Sequence, residues 1–203
     1  MSLNSALETA ELTQLVDVLH ESLKVRSRRE FLLWSQGSLQ QFLPHDIMIV
    51  AWGNFSLCLV QFDIVSSIPR LHTEQMHSAN LAPTLKRLFD YWNAHSRAPF
   101  QVRVNEGLFP ADALQGGDGV DGSFHRMKSA LVHAIKDERG GGRHDCLYVL
   151  MSASNSAPAA DRHMLEILLP YIDSSLRQVA QDTGDDDAAP TEPESADLHP
   201  GPL

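Results

Sequence analysis

The chain has 203 residues, 43% of them hydrophobic, and 16 Lys and Arg against 26 Asp and Glu give a formal net charge of −10. That length holds one substantial core, and the apolar share is ordinary for a globular domain. No apolar run approaches the roughly 18 residues of a membrane span, and no basic-then-apolar leader opens the chain. An acidic balance also disfavours direct contact with nucleic-acid phosphates.

The acids are unevenly spread. Residues 182–203 carry Asp182, Asp185, Asp186, Asp187, Glu192, Glu194 and Asp197 with no Lys or Arg, which leaves residues 1–181 at −3. Four prolines and almost no large apolar residue accompany them, so burial cannot offset the entropy of ordering this segment. The expected organisation is one domain over 1–181 and an acidic, Pro-rich linker or tail over 182–203.

In chain order, Ser5-Ala-Leu-Glu8 and Ser27-Arg-Arg-Glu30 match the capping-box spacing and predict helices near 5–24 and 28–43. Pro44 stops the second helix. Ile47–Trp52 and Ser56–Val65 have strand length and β-branched content, and Gly53-Asn54 between them suits a two-residue hairpin turn. Leu85, Leu88, Phe89 and Trp92 predict a third helix after Pro83, and residues 100–104 a short strand. Phe124, Met127, Leu131, Ala134 and Ile135 read as a helix opened by Ser123. Asp145 to Met151 reads as a buried strand. A last helix is capped by Asp161, and Pro170 within it predicts a kink.

Helices interleaved with strands, one pair of which is joined by a tight turn, imply an α/β (α+β) domain. Its expected form is a GAF- or PAS-like antiparallel sheet with helices on both faces. The glycine fingerprint of a doubly wound nucleotide-binding fold is absent.

The segments FLPHDIMIVAWGNF, DCLYVLMS and RHMLEILLPYIDSSLRQV resemble the N-terminal domain of LuxR-type transcriptional regulators. The likeness is greatest to EpsA-type members associated with exopolysaccharide and exosortase genes, and it covers roughly residues 8–180. It implies transcription regulation through a signal-sensing domain that also dimerises. It further implies a helix-turn-helix domain, opening with a Leu-Thr/Ser-x-Arg-Glu stretch that this chain lacks. DNA binding is therefore expected only through a domain beyond Leu203. Lactone receptors of the wider group carry a Trp, a following Tyr and a later Asp at recognisable spacing. That pattern is not evident around Trp52 or Tyr91-Trp92.

The candidate ligand contacts are Trp52, Trp92, Met127 and Tyr148, drawn from the aromatic and methionine positions that can line a cavity between sheet and helices. Leu165, Leu168, Leu169, Ile172 and Leu176 form a wide apolar stripe on the last helix, read as the interface of a homodimer. The alternative is that the stripe enters the monomer's core. No cofactor or metal is implied, because the ten histidines show no ligand spacing and Gly116–Gly122 fails the calcium-loop register. No catalytic motif occurs, so no enzyme is expected. Cys58 and Cys146, each inside an apolar run, read as buried, reduced thiols of a cytoplasmic protein. Lys24, Arg26, Arg28 and Arg29 read as a solvated junction between the first two helices, with an anion or acidic partner as the functional alternative. A stand-alone ligand-binding or protein-interaction domain of the same fold is the second reading.

Overall fold

In the computed structural model, described at residues 9–66, 68, 71, 73, 78–110, 124, 126–138, 145–154 and 159–182, five strands form one antiparallel sheet. The elements are α1 (Thr9–Ser22), α2 (Arg28–Gln36), β1 (Ile47–Asn54), β2 (Leu59–Ser66), α3 (Ser78–Ala94), β3 (Phe100–Arg103), β4 (Ser129–Ile135), β5 (Asp145–Ser152) and α4 (Ala159–Asp182). Strand order is β2-β1-β5-β4-β3, with β5 between β1 and β4. The Ser5 box, the Gly116–Gly122 loop and residues 183–203 lie outside the described residues.

Helices cover both faces, as expected. Against α3 pack Ile47, Ile49, Ala51, Val132, Leu147 and Val149; against α1, α2 and α4 pack Met48, Val50, Leu131, Tyr148 and Leu150. Successive strand residues alternate between these two cores. Strands buried on both faces have no polar side to show, hence their unbroken apolar runs.

The capping box at Ser27 forms as read: Glu30 N–H donates to Ser27 Oγ, and Ser27 N–H to Glu30 Oε2. The helix it starts is shorter than expected. It breaks at Gly37, where a Cβ would stand 2.7 Å from the Leu33 carbonyl oxygen, and a 3-10 turn over Ser38–Gln41 leads to Pro44.

The hairpin pairs Ile47 with Ser66 through to Asn54 with Leu59, so the two strands are antiparallel neighbours. Its turn is not Gly53-Asn54. Gly53 lies within the ladder opposite Val60, and the chain reverses over residues 55–58. Asn54 Oδ1 accepts from Leu57 N–H, and Phe55 C=O from Cys58 N–H, so the Asn side chain builds the turn one step later. Cys58 is consequently exposed at φ +57, and only Cys146 is a buried thiol.

Three helix expectations are also corrected. The third helix starts at Ser78 and carries Pro83 inside it. The last starts at Ala159, so Asp161 sits in its first turn and not at its cap. Residues 129–135 form β4, a strand paired with both β5 and β3. A short apolar run such as SALVHAI satisfies helical and extended spacing alike, and here sheet pairing decides.

Candidate functional site

The sheet separates two candidate centres. Aromatic rings run along the α3 face from the hairpin and reach, around the sheet's edge, His133 of β4, which alternation assigns with Leu131 and Ile135 to the opposite face. Phe55 stacks on Phe89 at 4.2 Å, Phe89 tilts against Trp92 at 5.6 Å, and Trp92 meets the His133 ring edge-on at 5.9 Å. Trp92 Nε1 donates to His133 Nδ1 over 3.0 Å. β3 pairs with β4 only as far as Val132, so His133 follows at the uncovered edge, where the end of α3 reaches it. That bond requires a bare Nδ1 and so fixes the neutral Nε2–H tautomer. Burial pushes the ring's pKa down to about 4, against a weak opposing pull from Glu166.

On the opposite face, Tyr148 donates its hydroxyl to Asp173 Oδ1 over 2.6 Å, and Arg177 Nε donates to Asp173 Oδ2 over 2.8 Å. Arg177 Nη2 also reaches Cys146 Sγ at 3.3 Å. Burial, followed by the nearby Asp173 charge, pushes the Cys146 thiol up to about 12. Thiol rather than thiolate therefore persists at neutral pH, which removes its nucleophilicity. Burial likewise raises Tyr148, and the Asp173 bond raises Arg177 further. The cluster ties β5 to the second half of α4 and holds each charge in a fixed pair.

The four sequence-chosen ligand contacts do not converge. Trp92 and Met127 belong to the α3-face core, and Tyr148 to the other. Trp52 shares Tyr148's face but is 38% exposed, its Nε1 donating to Gln61 Oε1 across the hairpin. His133 went unrecognised, although it is the one ionisable residue in the SALVHAI run. An ionisable side chain inside a doubly buried strand is the signal that marked it.

The apolar stripe of α4 is core. Leu165, Leu168 and Ile172 are fully buried within this single chain, Leu169 nearly so, and Leu176 packs beside them. The sheet and the first two helices absorb the width that had suggested a second copy, so Leu165, Leu168, Leu169 and Ile172 are not free to form a dimer interface, and Leu176 stays half-buried at their margin. The basic junction is mostly engaged. Arg28 pairs with Asp63 at 2.7 Å, and Arg26 Nη1 donates to the Leu23 and Val25 carbonyls and to Gln178 Oε1. A groove of about 310 Å³ beside it is lined by Lys24, Val25, Leu33 and Trp34, with Glu21 and Glu30 among its walls.

Among the described residues no three His, Cys, Asp or Glu side chains gather as a metal site, and no helix is long and apolar enough to cross a membrane. No family model matches the chain. No curated protein matches it either. Among solved structures it is similar to an N-acylhomoserine-lactone-dependent LuxR-family transcription factor, CepR2 of Burkholderia cenocepacia. That match has a TM-score of 0.52 and 12% identity, and covers 86% of this chain and 98% of that one. A phytochrome photosensory core module of Stigmatella aurantiaca matches at TM-score 0.49 and 12% identity, over 89% of this chain and 39% of that one. At such identity the CepR2 likeness establishes the fold alone: this chain shares the helix-flanked antiparallel-sheet architecture of that structure.

Proposed function

We propose that the chain is the signal-sensing half of a LuxR-type transcriptional regulator, of the EpsA-like kind that controls exopolysaccharide synthesis genes, acting as a homodimer in the cytoplasm. The observation that carries this reading is the match to CepR2 over nearly the whole of both chains. The three resembling segments support it, since they map onto β1 with the turn that leads into it, β5 and α4. DNA contact belongs to a helix-turn-helix domain outside these residues.

The α3 face is the ligand side in this reading. A small, largely apolar molecule entering between α3 and the sheet parts the Phe55 and Phe89 rings and meets the Trp92 indole, whose Nε1 is tied at the sheet edge to His133. A homoserine lactone is not favoured, because Trp52 stands at the exposed end of the hairpin and Tyr91 on α3.

The reading is tested by deleting the gene in its own host and measuring expression of the exopolysaccharide operons. Altered expression, restored by the intact gene and not by one lacking residues 9–182, is expected. Unchanged expression in the deletion strain would refute the exopolysaccharide role.

A further inference from the structure

β2 is an edge strand, and among the described residues its outer side is closed over only part of its length. Ile64 N–H points away from β1: it donates to Thr73 Oγ1 at 2.9 Å and Asp63 Oδ1 at 2.8 Å. Strand alternation turns the N–H and C=O of Val60 and Phe62 the same way, and no described residue takes them. The turn at 55–58 bounds the strand at one end, and Thr73 covers it at Ile64. The open stretch is therefore Leu59 to Asp63, and its centre is Gln61.

The surroundings are those of an interface. Unpaired edges are ordinarily guarded by charge, proline or a bulge, yet Phe55 to Phe62 contains no charged residue and no proline, and the one charge of the open stretch, Asp63 at its end, is engaged by Arg28, Thr73 and the Ile64 N–H. Leu57 and Leu59 are 67% and 68% exposed, and Trp52 lies beside Leu59 on the same face.

We propose that a second copy of this chain docks here, β2 against β2, antiparallel about a two-fold axis through Gln61. Val60 of one copy then pairs with Phe62 of the other in both directions, and each N–H and C=O so exposed finds its counterpart. Leu59 of one copy meets Asp63 of the other, so the paired window ends where the turn and Thr73 begin. A window symmetric about one residue is what an isologous pair requires. An apolar face would leave its occupant unspecified, whereas an open strand edge demands an extended backbone. The inference rests on the homodimer in the proposed function, and gives it a surface other than the buried stripe of α4.

Three full-length variants test it. Leu59→Lys places charge on an exposed side chain. Val60→Pro removes one outward N–H without touching the β1 ladder. Both should sediment as folded monomers at concentrations where the wild type is dimeric. On a Cys58→Ser background, Gln61→Cys brings two thiols together at a non-hydrogen-bonded pair, which mild oxidation should cross-link into a dimer. Wild-type Cys58 should not cross-link, because the axis holds the two copies roughly 20 Å apart. A wild type that stays monomeric at high micromolar concentration overturns the edge pairing and the homodimer together. A dimer that survives Leu59→Lys and Val60→Pro, with no Gln61→Cys cross-link, overturns the edge alone.

Discussion

The hydroxyl of Tyr148 bonds Asp173 across 2.6 Å, joining the middle of β5 to α4 at the point where the helix's apolar stripe gives way to polar residues. Up to Ile172 the helix is held by buried leucine, isoleucine and methionine side chains. Beyond it, Asp173 and Arg177 carry the attachment, with Leu176 and Val179 at the margin. β5 presents Leu147 and Val149 to the α3 face and Tyr148 to α4, so one strand touches both cores.

Tyr148→Phe should lower stability by about 1.5–3 kcal/mol, the range for a hydrogen bond to a charged group. Asp173→Asn should cost a similar amount, and the double variant less than the sum. Urea denaturation of the four proteins closes the cycle; strict additivity would mean that the two residues act separately.

Leu168→Ala should destabilise by about 2–5 kcal/mol as a core truncation, and Leu168→Glu should prevent folding. Circular-dichroism melts decide. A folded Leu168→Glu chain that had merely lost its dimer would restore α4 as the interface.

Stability should fall as the solution is acidified below about pH 6.5, the ordinary histidine value. His133 is held neutral to about pH 4, whereas in the unfolded chain it takes up a proton below its ordinary value. Its contribution is thus fully present above pH 6.5 and is lost as pH drops toward 4, at most about 3 kcal/mol. His133→Phe should flatten this part of the profile in urea titrations at stepped pH. An unchanged slope would show that the acid sensitivity lies elsewhere.

Gly53→Ala should destabilise by about 1–3 kcal/mol, the usual cost of a strained backbone position. The residue has φ +128, and an added Cβ would stand 2.4 Å from the Leu59 carbonyl oxygen. A thermal melt within a degree of wild type would contradict this.

The hairpin, the Ser27 cap and the last helix were legible because each carries a local signature: alternation-length apolar runs, a reciprocal Ser–Glu box, a long stripe. The turn was displaced because Asn54 acts through its side chain, bonding Leu57 N–H, where the Gly-Asn rule reads only backbone φ. β4 was taken for a helix because residues 124–135 satisfy the spacing of both, and only pairing with β3 and β5 separates them. The site was half legible for a related reason. Met127 and Trp92 fall together, but DCLYVLMS is buried on both faces, so its sequence cannot say that Tyr148 looks away from them.

The central claim is that this is a small-molecule sensing domain, and mass spectrometry of ligands held by the folded protein tests it most directly. The chain is incubated with a small-molecule extract of exopolysaccharide-producing cells, re-isolated, and denatured to release what it holds. The account predicts one species, near one per chain, absent from an unrelated control protein and reduced in Trp92→Phe. Release of nothing beyond the control, from protein verified as folded, would contradict it.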